Sequence, residues 1–281
     1  MIDLHTHTTN SDGTDTPHAL INKALSAGIT VLGVTDHDTT AGWKEAIDAR
    51  RAHLSLVLGA EISCLTEDEV AVHMLGLLFD GENASMQTML EESRDSRLPR
   101  MRRMTELLSA DGIEISIEEV FAAMPDGATL GRPHLADALV AKGHVASRDE
   151  AFADLLHNGS KYYVTHIAPT PEDAIRVIRA AGGVAVIAHP FATRRGQTLS
   201  AMSFPSLIAA GLNGVEVDHR DHTHAEREQL RGLAGDLGLV ITGASDYHGT
   251  GKLNSIGENH TDPAEWARLE SMADARRVVT E

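Results

Sequence analysis

One cysteine, Cys64, stands among 281 residues, so a disulfide framework and a cysteine-built zinc site are both excluded. A reducing compartment, the cytoplasm, is the expected location. Cys64, beside Ile62 and Leu65, reads as a small buried hydrophobe. Aromatic residues are scarce as well, at 4%, which leaves few platforms on which a long single strand could stack its bases. Cations are outnumbered: 24 Lys and Arg face 41 Asp and Glu, for a formal charge of −17. A surface that acidic repels duplex nucleic acid and anionic membranes, but a small anion could still be held in a locally positive pocket. No run approaches the roughly 18 apolar residues of a membrane span. The opening MIDLHTH carries charges and histidines where a signal peptide needs an apolar stretch, so a soluble, non-exported protein is expected.

What is present in excess is histidine, 16 in all, and its distribution follows the strand pattern. Short apolar runs alternate with helical patterns. Ile2–Leu4, Val31–Val34, Leu54–Ala60 and Val70–Phe79 read as strands early in the chain, and Val184–Ala188, Gly214–Val217 and Leu239–Thr242 later. Helices are expected from Thr16-Pro17 to about Gly28, from Asp38 to about His53, and over Pro171–Ala181, Phe204–Ala210 and His224–Gly238. Thr16 is a plausible N-cap, with Pro17 in the first helical position. Such alternation argues an α/β fold with a parallel sheet. Between about Pro99 and Ala168 the rhythm breaks into helical patterns over Arg100–Ala110, Ile117–Met124, His134–Lys142 and Arg148–His157. The expected organisation is therefore a domain of residues 1–98 and 169–281, with a small helical insertion at 99–168.

His5 and His7 end the first strand, two residues apart and so on one side of an extended chain, and Asp12 follows in the loop. His37 ends the second strand, Glu61 the third, and His73 lies in the fourth. His189 closes the Val184–Ala188 strand, and Asp246 and His248 follow the last. In a barrel, strand ends of one polarity meet on one face. Six imidazoles and three carboxylates crowded together would repel or be costly to desolvate. Divalent cations resolve this, because neutral imidazole and carboxylate are both ligands. Two or three such ions outweigh three carboxylates, so the site becomes net positive and can seek phosphate. By contrast His53, His144 and His224 read as solvated side chains, and His157 as a helix-end residue.

The segments His5-Thr6-His7, Thr35-Asp36-His37-Asp38, Gly59-Ala60-Glu61, His73, Ala188-His189-Pro190 and Ser245-Asp246-Tyr247-His248 resemble the PHP (polymerase and histidinol phosphatase) family of metal-dependent phosphoesterases. The resemblance implies a distorted (β/α)7 TIM-like barrel holding two or three divalent ions, commonly manganese, iron or zinc. It implies that one ion takes His5, His7, Glu61 and Asp246. A second shares Glu61 and adds His73 and His189, and a third uses Asp12, His37 and His248. Many family members have histidine where Asp12 stands, and the hard oxygen tilts that site toward manganese or magnesium. The resemblance also implies a metal-bridging hydroxide that attacks phosphorus.

The insertion, with Gly131-Arg132-Pro133-His134, is similar to a narrower group of 3′,5′-nucleotide bisphosphate phosphatases and 5′→3′ exonucleases acting on short RNA. Glu216-Val217 followed by His222 matches it loosely. A hydrolase of the 3′-phosphate of small bisphosphorylated nucleotides is the expected activity. Its leaving group would take a proton from His134, His222 or a metal-bound water, with both histidines also expected at the substrate. A second phosphate needs cations: Arg132, Lys161, Arg194 and Arg195 are available, arginine being suited to bidentate phosphate contact. Asp36 is expected to orient a ligand histidine, and the run Arg100, Arg102, Arg103 beside Glu106 reads as a solvated face. Alternatives are a 5′→3′ exonuclease on short RNA or DNA, a histidinol phosphatase, and a non-catalytic metal-stabilised module. None of the nine ligand positions has been lost, which weighs against the last of these.

Overall fold

The computed structural model describes residues 1–165, 167–275 and 278–280, without the side chain of Arg195. In chain order the barrel begins with β1 (Ile2–Asp3), α1 (Pro17–Ser26), β2 (Val31–Val34), α2 (Trp43–Ala49), β3 (Ser55–Leu65) and β4 (Ala71–Leu77). Five helices follow: α3 (Ala84–Asp95), α4 (Arg97–Ala110), α5 (Ile117–Ala122), α6 (Arg132–Ala141) and α7 (Arg148–Asp154). The chain closes with α8 (Pro171–Ala180), β5 (Val184–Ala188), α9 (Phe204–Ala210), β6 (Gly214–Asp218), α10 (His224–Leu237), β7 (Val240–Gly243), α11 (Pro263–Ser271) and β8 (Val278–Val279). Helix α1 starts as its sequence dictates, with Thr16 Oγ1 accepting from Ala19 N and Pro17 in the first turn.

Strands β1 to β7 line up in chain order. A pairing of Thr6 with Tyr247 brings the extensions of the first and last together and nearly closes the barrel. The sheet is not wholly parallel, contrary to the expectation from alternation. Strand β4 runs antiparallel to both β3 and β5, because the turn at Thr66–Val70 folds β3 straight back on itself with no room for a crossover helix. Strand β3 is also longer than expected, so Glu61 lies within it rather than at its end. Reversal of β4 puts its early residue His73 on the same rim as the late residues of the other strands. Three further elements, α3, α11 and β8, were not expected.

Outside the sheet, Ile175, Ile178, Phe204, Leu207 and Leu230 pack against Ile62, Met74 and Ile187, and α1 and α2 cover Leu32, Val34 and Leu56. Helices α4 to α7 share a separate core of Met101, Met104, Leu108, Val120, Leu135, Leu139 and Leu156. Each fully buried aliphatic side chain contributes about 1.5–3 kcal/mol. Among the described residues no helix is long and apolar enough to cross a membrane.

Candidate metal centre

The nine side chains singled out by the strand pattern converge at one rim of the barrel, and Glu61 is the hub. Its Oε2 lies 3.1 Å from His5 Nε2, 3.0 Å from His7 Nε2 and 3.2 Å from His37 Nδ1. Its Oε1 lies 2.7 Å from His73 Nδ1 and 3.2 Å from His189 Nε2. Cross-strand register explains part of this. His73 sits opposite Ser63, so it shares a face with Glu61 two residues away and is its diagonal neighbour. Asp246 Oδ1 lies 3.4 Å from both His5 and His7 Nε2. Asp12 lies 3.2 Å from His248 Nε2 and 3.7 Å from His37 Nε2. Among the described residues, three groups thus have ligand atoms close enough to share an ion: His5-His7-Glu61-Asp246, His37-Glu61-His73 and His7-Asp12-His37-His248. His37 faces both Glu61 and Asp12 through its two nitrogens, whereas the resemblance implied contact with one ion only.

Do these residues fit divalent cations? Several polar atoms here are buried without a hydrogen bond, among them Asp12 Oδ1, His37 Nδ1 and His248 Nε2. Each nevertheless lies about as near another ligand atom as a hydrogen bond requires, so their lone pairs aim at common points rather than at one another. His5 Nε2 and His7 Nε2 are 3.1 Å apart, close to the edge of a coordination polyhedron with metal–nitrogen bonds of about 2.0–2.1 Å. Buried orphans of this kind cost about 1–3 kcal/mol each unless a partner is supplied. The donor set fits.

Electrostatics agree. Burial alone would raise the Glu61 carboxyl, but His5, His73 and His37 hold it well below the usual range. Asp12 is likewise pulled well down by His248 and His37 against burial. In the absence of ions, His5 is raised well above its ordinary value against burial by Glu61, Glu216 and Asp246. His7 rises against burial to about 9 through Asp246 and Glu61. Burial, with His7 and Lys252 adding to it, pushes His248 down to about 4. Protons on two imidazoles stand where cations would. Strain gathers here too, since Asp38, His189 and Asp246 all adopt positive φ.

Outside the ligand groups, sequence reasoning missed several contributors. Glu216, fully buried, accepts from His5 Nδ1 at 3.1 Å and from the His189 amide at 2.9 Å, which leaves His5 Nε2 free for an ion. Lys252 Nζ donates to Asp246 Oδ2 at 2.9 Å, and His219 Nε2 lies 3.4 Å from the same oxygen. Because the Asp221 amide donates to His219 Nδ1, the ring proton of neutral His219 is on Nε2, facing the site. In the sequence Glu216 stands out only through its loose motif with Val217 and His222, and the signal for Lys252 and His219 is the neighbourhood of strand ends. Asp36 acts on a ligand indirectly: it accepts from Ser11 Oγ at 2.6 Å, and that hydroxyl is 3.3 Å from His7 Nδ1.

The substrate candidates sort differently from expectation. His134 is buried, and its Nδ1 is taken by the Gly131 amide at 3.1 Å. His222 is engaged on both sides of its ring, taking the Phe191 amide at Nε2 and donating from Nδ1 to the Val217 carbonyl. Burial depresses both rings. Lys161 is 69% exposed, pairs with Asp111 and is absent from the cavity lining. A cavity of about 480 Å³ opens over the ligand cluster, and Arg132, Arg194, Arg148, Arg97 and Arg100 all line it. Arg100, expected on a solvated face, is buried instead, because α4 turns that side toward Tyr163 and the Val164 carbonyl. Arg102 and Arg103 do face solvent. Arg194 is exposed, and the Arg195 side chain lies outside the described residues.

Residues 3–143 match the family model described as PHP domain. The chain belongs to the PHP family. A curated relative, the 3′,5′-nucleoside bisphosphate phosphatase of Chromobacterium violaceum, is 34% identical over 89% of this chain and 88% of its own. The 5′-3′ exoribonuclease Rnm of Escherichia coli is 35% identical over 88% of this chain and 85% of its own. Among solved structures, a chain from Bifidobacterium adolescentis described as a metal-dependent phosphoesterase superposes with a TM-score of 0.90. It is 40% identical and covered to 96%, against 97% of this chain. This PHP protein is a phosphoric ester hydrolase, and its rim carries several clusters able to bind metal.

Proposed function

We propose that this PHP protein is a phosphomonoesterase that removes the 3′-phosphate from 3′,5′-bisphosphorylated nucleotides, with manganese as its preferred ion. The observation that carries the reading is a pair of guanidiniums on the wall of the cavity. Arg100 is buried and Arg132 half-buried, and among the described residues neither forms an ion pair with a carboxylate. Arg132 instead donates to the Leu156 carbonyl and Asn158 Oδ1 at 2.7 and 2.8 Å, and both stack on Tyr163 at 5.2 Å. Burial, with Arg132 and Arg97 adding to it, pushes Arg100 down to about 9, so it stays charged at neutral pH. Two guanidiniums withdrawn from water without a carboxylate are costly, and a second phosphate would relieve them. Arg97 has its own partner, the buried Asp38.

Divalent cations in the cluster would neutralise phosphoryl oxygens and acidify the attacking water. The nine residues His5, His7, Asp12, His37, Glu61, His73, His189, Asp246 and His248 would hold them, and Asp12, as a hard oxygen, favours manganese. Glu216 keeps His5 in its ligating tautomer. His134 and His222 hold backbone in place, which leaves the Nε2–H of His219 and the Lys252 ammonium as protein donors facing the reacting end. Residues 99–168 would act as a substrate-capping domain over the barrel of 1–98 and 169–281.

A second reading, exonuclease action on short oligonucleotides, draws on exposed Arg194 and Arg220 at the cavity edge and on Leu253, which is 73% exposed. The test is turnover with manganese on adenosine 3′,5′-bisphosphate, adenosine 5′-monophosphate, histidinol phosphate and a short 5′-phosphorylated RNA. The bisphosphate should exceed the others in kcat/KM by at least about ten-fold, the worth of one charged hydrogen bond. Preference for the RNA or for histidinol phosphate would overturn the reading.

A further inference from the structure

Two carbonyls in the loop between β1 and α1, those of Asn10 and Asp12, are gripped from the helical segment that follows β4. The Thr129 amide donates to Asn10 at 2.9 Å, and Arg148 Nη1 donates to the Asp12 carbonyl at 3.2 Å. Arg148 is itself fixed, with Nε and Nη2 each 2.6 Å from the two oxygens of Asp137 on α6. The barrel makes room for this reach. A Cβ on Gly251 would come within 2.2 Å of Arg148 Nη1, so the absence of a side chain there is what lets the guanidinium seat. Asp12 is a short side chain with two torsions, so holding its backbone determines where its carboxylate can go, and its Oδ1 is one of the buried atoms lacking a hydrogen bond.

We infer that Arg148, braced by Asp137, positions Asp12 for a divalent cation, so that affinity at Asp12, His37 and His248 depends on the seating of α6 and α7 against the barrel. This rests on the reading that the trio holds a cation. Arg148 is a positioning residue in this scheme, acting through the backbone of Asp12. Contacts one step removed from a ligand change metal affinity about 10–100-fold. The effect is local, because among the described residues the Glu61 carboxylate takes no hydrogen bond from this segment.

The test titrates Mn²⁺ into chelator-stripped wild type, Asp137→Asn, Asp137→Glu and Gly251→Ala, counting free Mn²⁺ by electron paramagnetic resonance with thermal melting in parallel. Asp137→Asn acts from the helical side at nearly constant volume, and Gly251→Ala acts from the barrel side. In both, one class of site should weaken about ten-fold while the others and the melting temperature hold; Asp137→Glu should restore it. Three classes unmoved in both variants would overturn the inference alone. Uniform weakening of all classes would overturn it as well, by exposing general loosening. A wild type lacking a separate class for the trio would sink the reading of the trio together with the inference.

Discussion

Replacing Glu216 by glutamine removes one charge at almost no change of shape, and the structure fixes what must follow. The carboxylate serves two donors at once, His5 Nδ1 at 3.1 Å and the His189 amide at 2.9 Å. A glutamine has a single acceptor oxygen, so one donor must face its NH₂ group. If the His189 amide keeps the oxygen, His5 loses its partner, and its preference for holding the proton on Nδ1 goes with it. A hydrogen bond to a charged group is worth about 1.5–3 kcal/mol, and each 1.4 kcal/mol is a factor of about ten. Affinity at the group containing His5 should therefore fall about 10–100-fold, the range found for outer-sphere partners of ligating histidines. Competition with a chelator of known affinity, read out by elemental analysis, measures it directly. The backbone pairing of β5 with β6 is untouched, so the melting temperature of the metal-free form serves as a control for folding. A Glu216→Gln protein that holds its ions as tightly as wild type would refute the claim that this carboxylate sets the His5 tautomer.

Other expectations are quickly stated. Arg100→Met and Arg132→Lys should each raise KM for a 3′,5′-bisphosphate by at least about ten-fold, with metal content unchanged, since each alters a charged contact of about 1.5–3 kcal/mol; equal KM values would return these arginines to a structural role. Metal binding near pH 7 should release protons, because His5 and His7 (about 9) are raised in the ion-free protein and must give up a proton to ligate. Calorimetry in two buffers of different ionisation enthalpy counts those protons, and affinity should climb between pH 7 and 9. Saturating Mn²⁺ at about a hundred times its dissociation constant should stabilise the fold by about 2.7 kcal/mol, seen as a rise of several degrees in Tm that EDTA reverses. His222→Ala should lower Tm, since the Phe191 amide and the Val217 carbonyl lose their partner at about 1–3 kcal/mol apiece. It should leave the pH profile of kcat in place.

The convergence of the nine candidate ligands was legible because their chemistry is tied to position: imidazoles and carboxylates at strand ends have few other reasons to recur. The barrel was legible for a similar reason, through β-branched runs such as Val184–Ala188. What escaped depended on relations between elements. Nothing in the composition of Ala71–Leu77 distinguishes an antiparallel strand from a parallel one, since both neighbours bury it alike. Arg100 reads as a surface residue by its charged neighbours, and only the rotation of α4 about Tyr163 makes it a wall of the cavity. His134 and His222 sit in plausible motifs, yet the Gly131 amide takes the one ring and the Val217 carbonyl and distant Phe191 amide take the other, commitments that residue type cannot reveal. Helix α3 went unseen although Met86, Met89 and Leu90 form a buried stripe at helical spacing, since charged residues fill the rest of Ala84–Asp95.

The reversal of β4 also governs how the chain must assemble. Leu77 and Val184 are direct partners across β4 and β5, so a turn of a few residues could have joined them. Instead residues 78–183 leave and return as one excursion that carries α3 to α8. By the logarithmic scaling of loop closure, such a span costs about 3 kcal/mol more to close than a tight turn. Helices α4 to α7, whose contacts are near in sequence, can collapse on their own core long before those two strands find each other. Among the seams between consecutive strands, the one between β4 and β5 is therefore where this barrel should zip last.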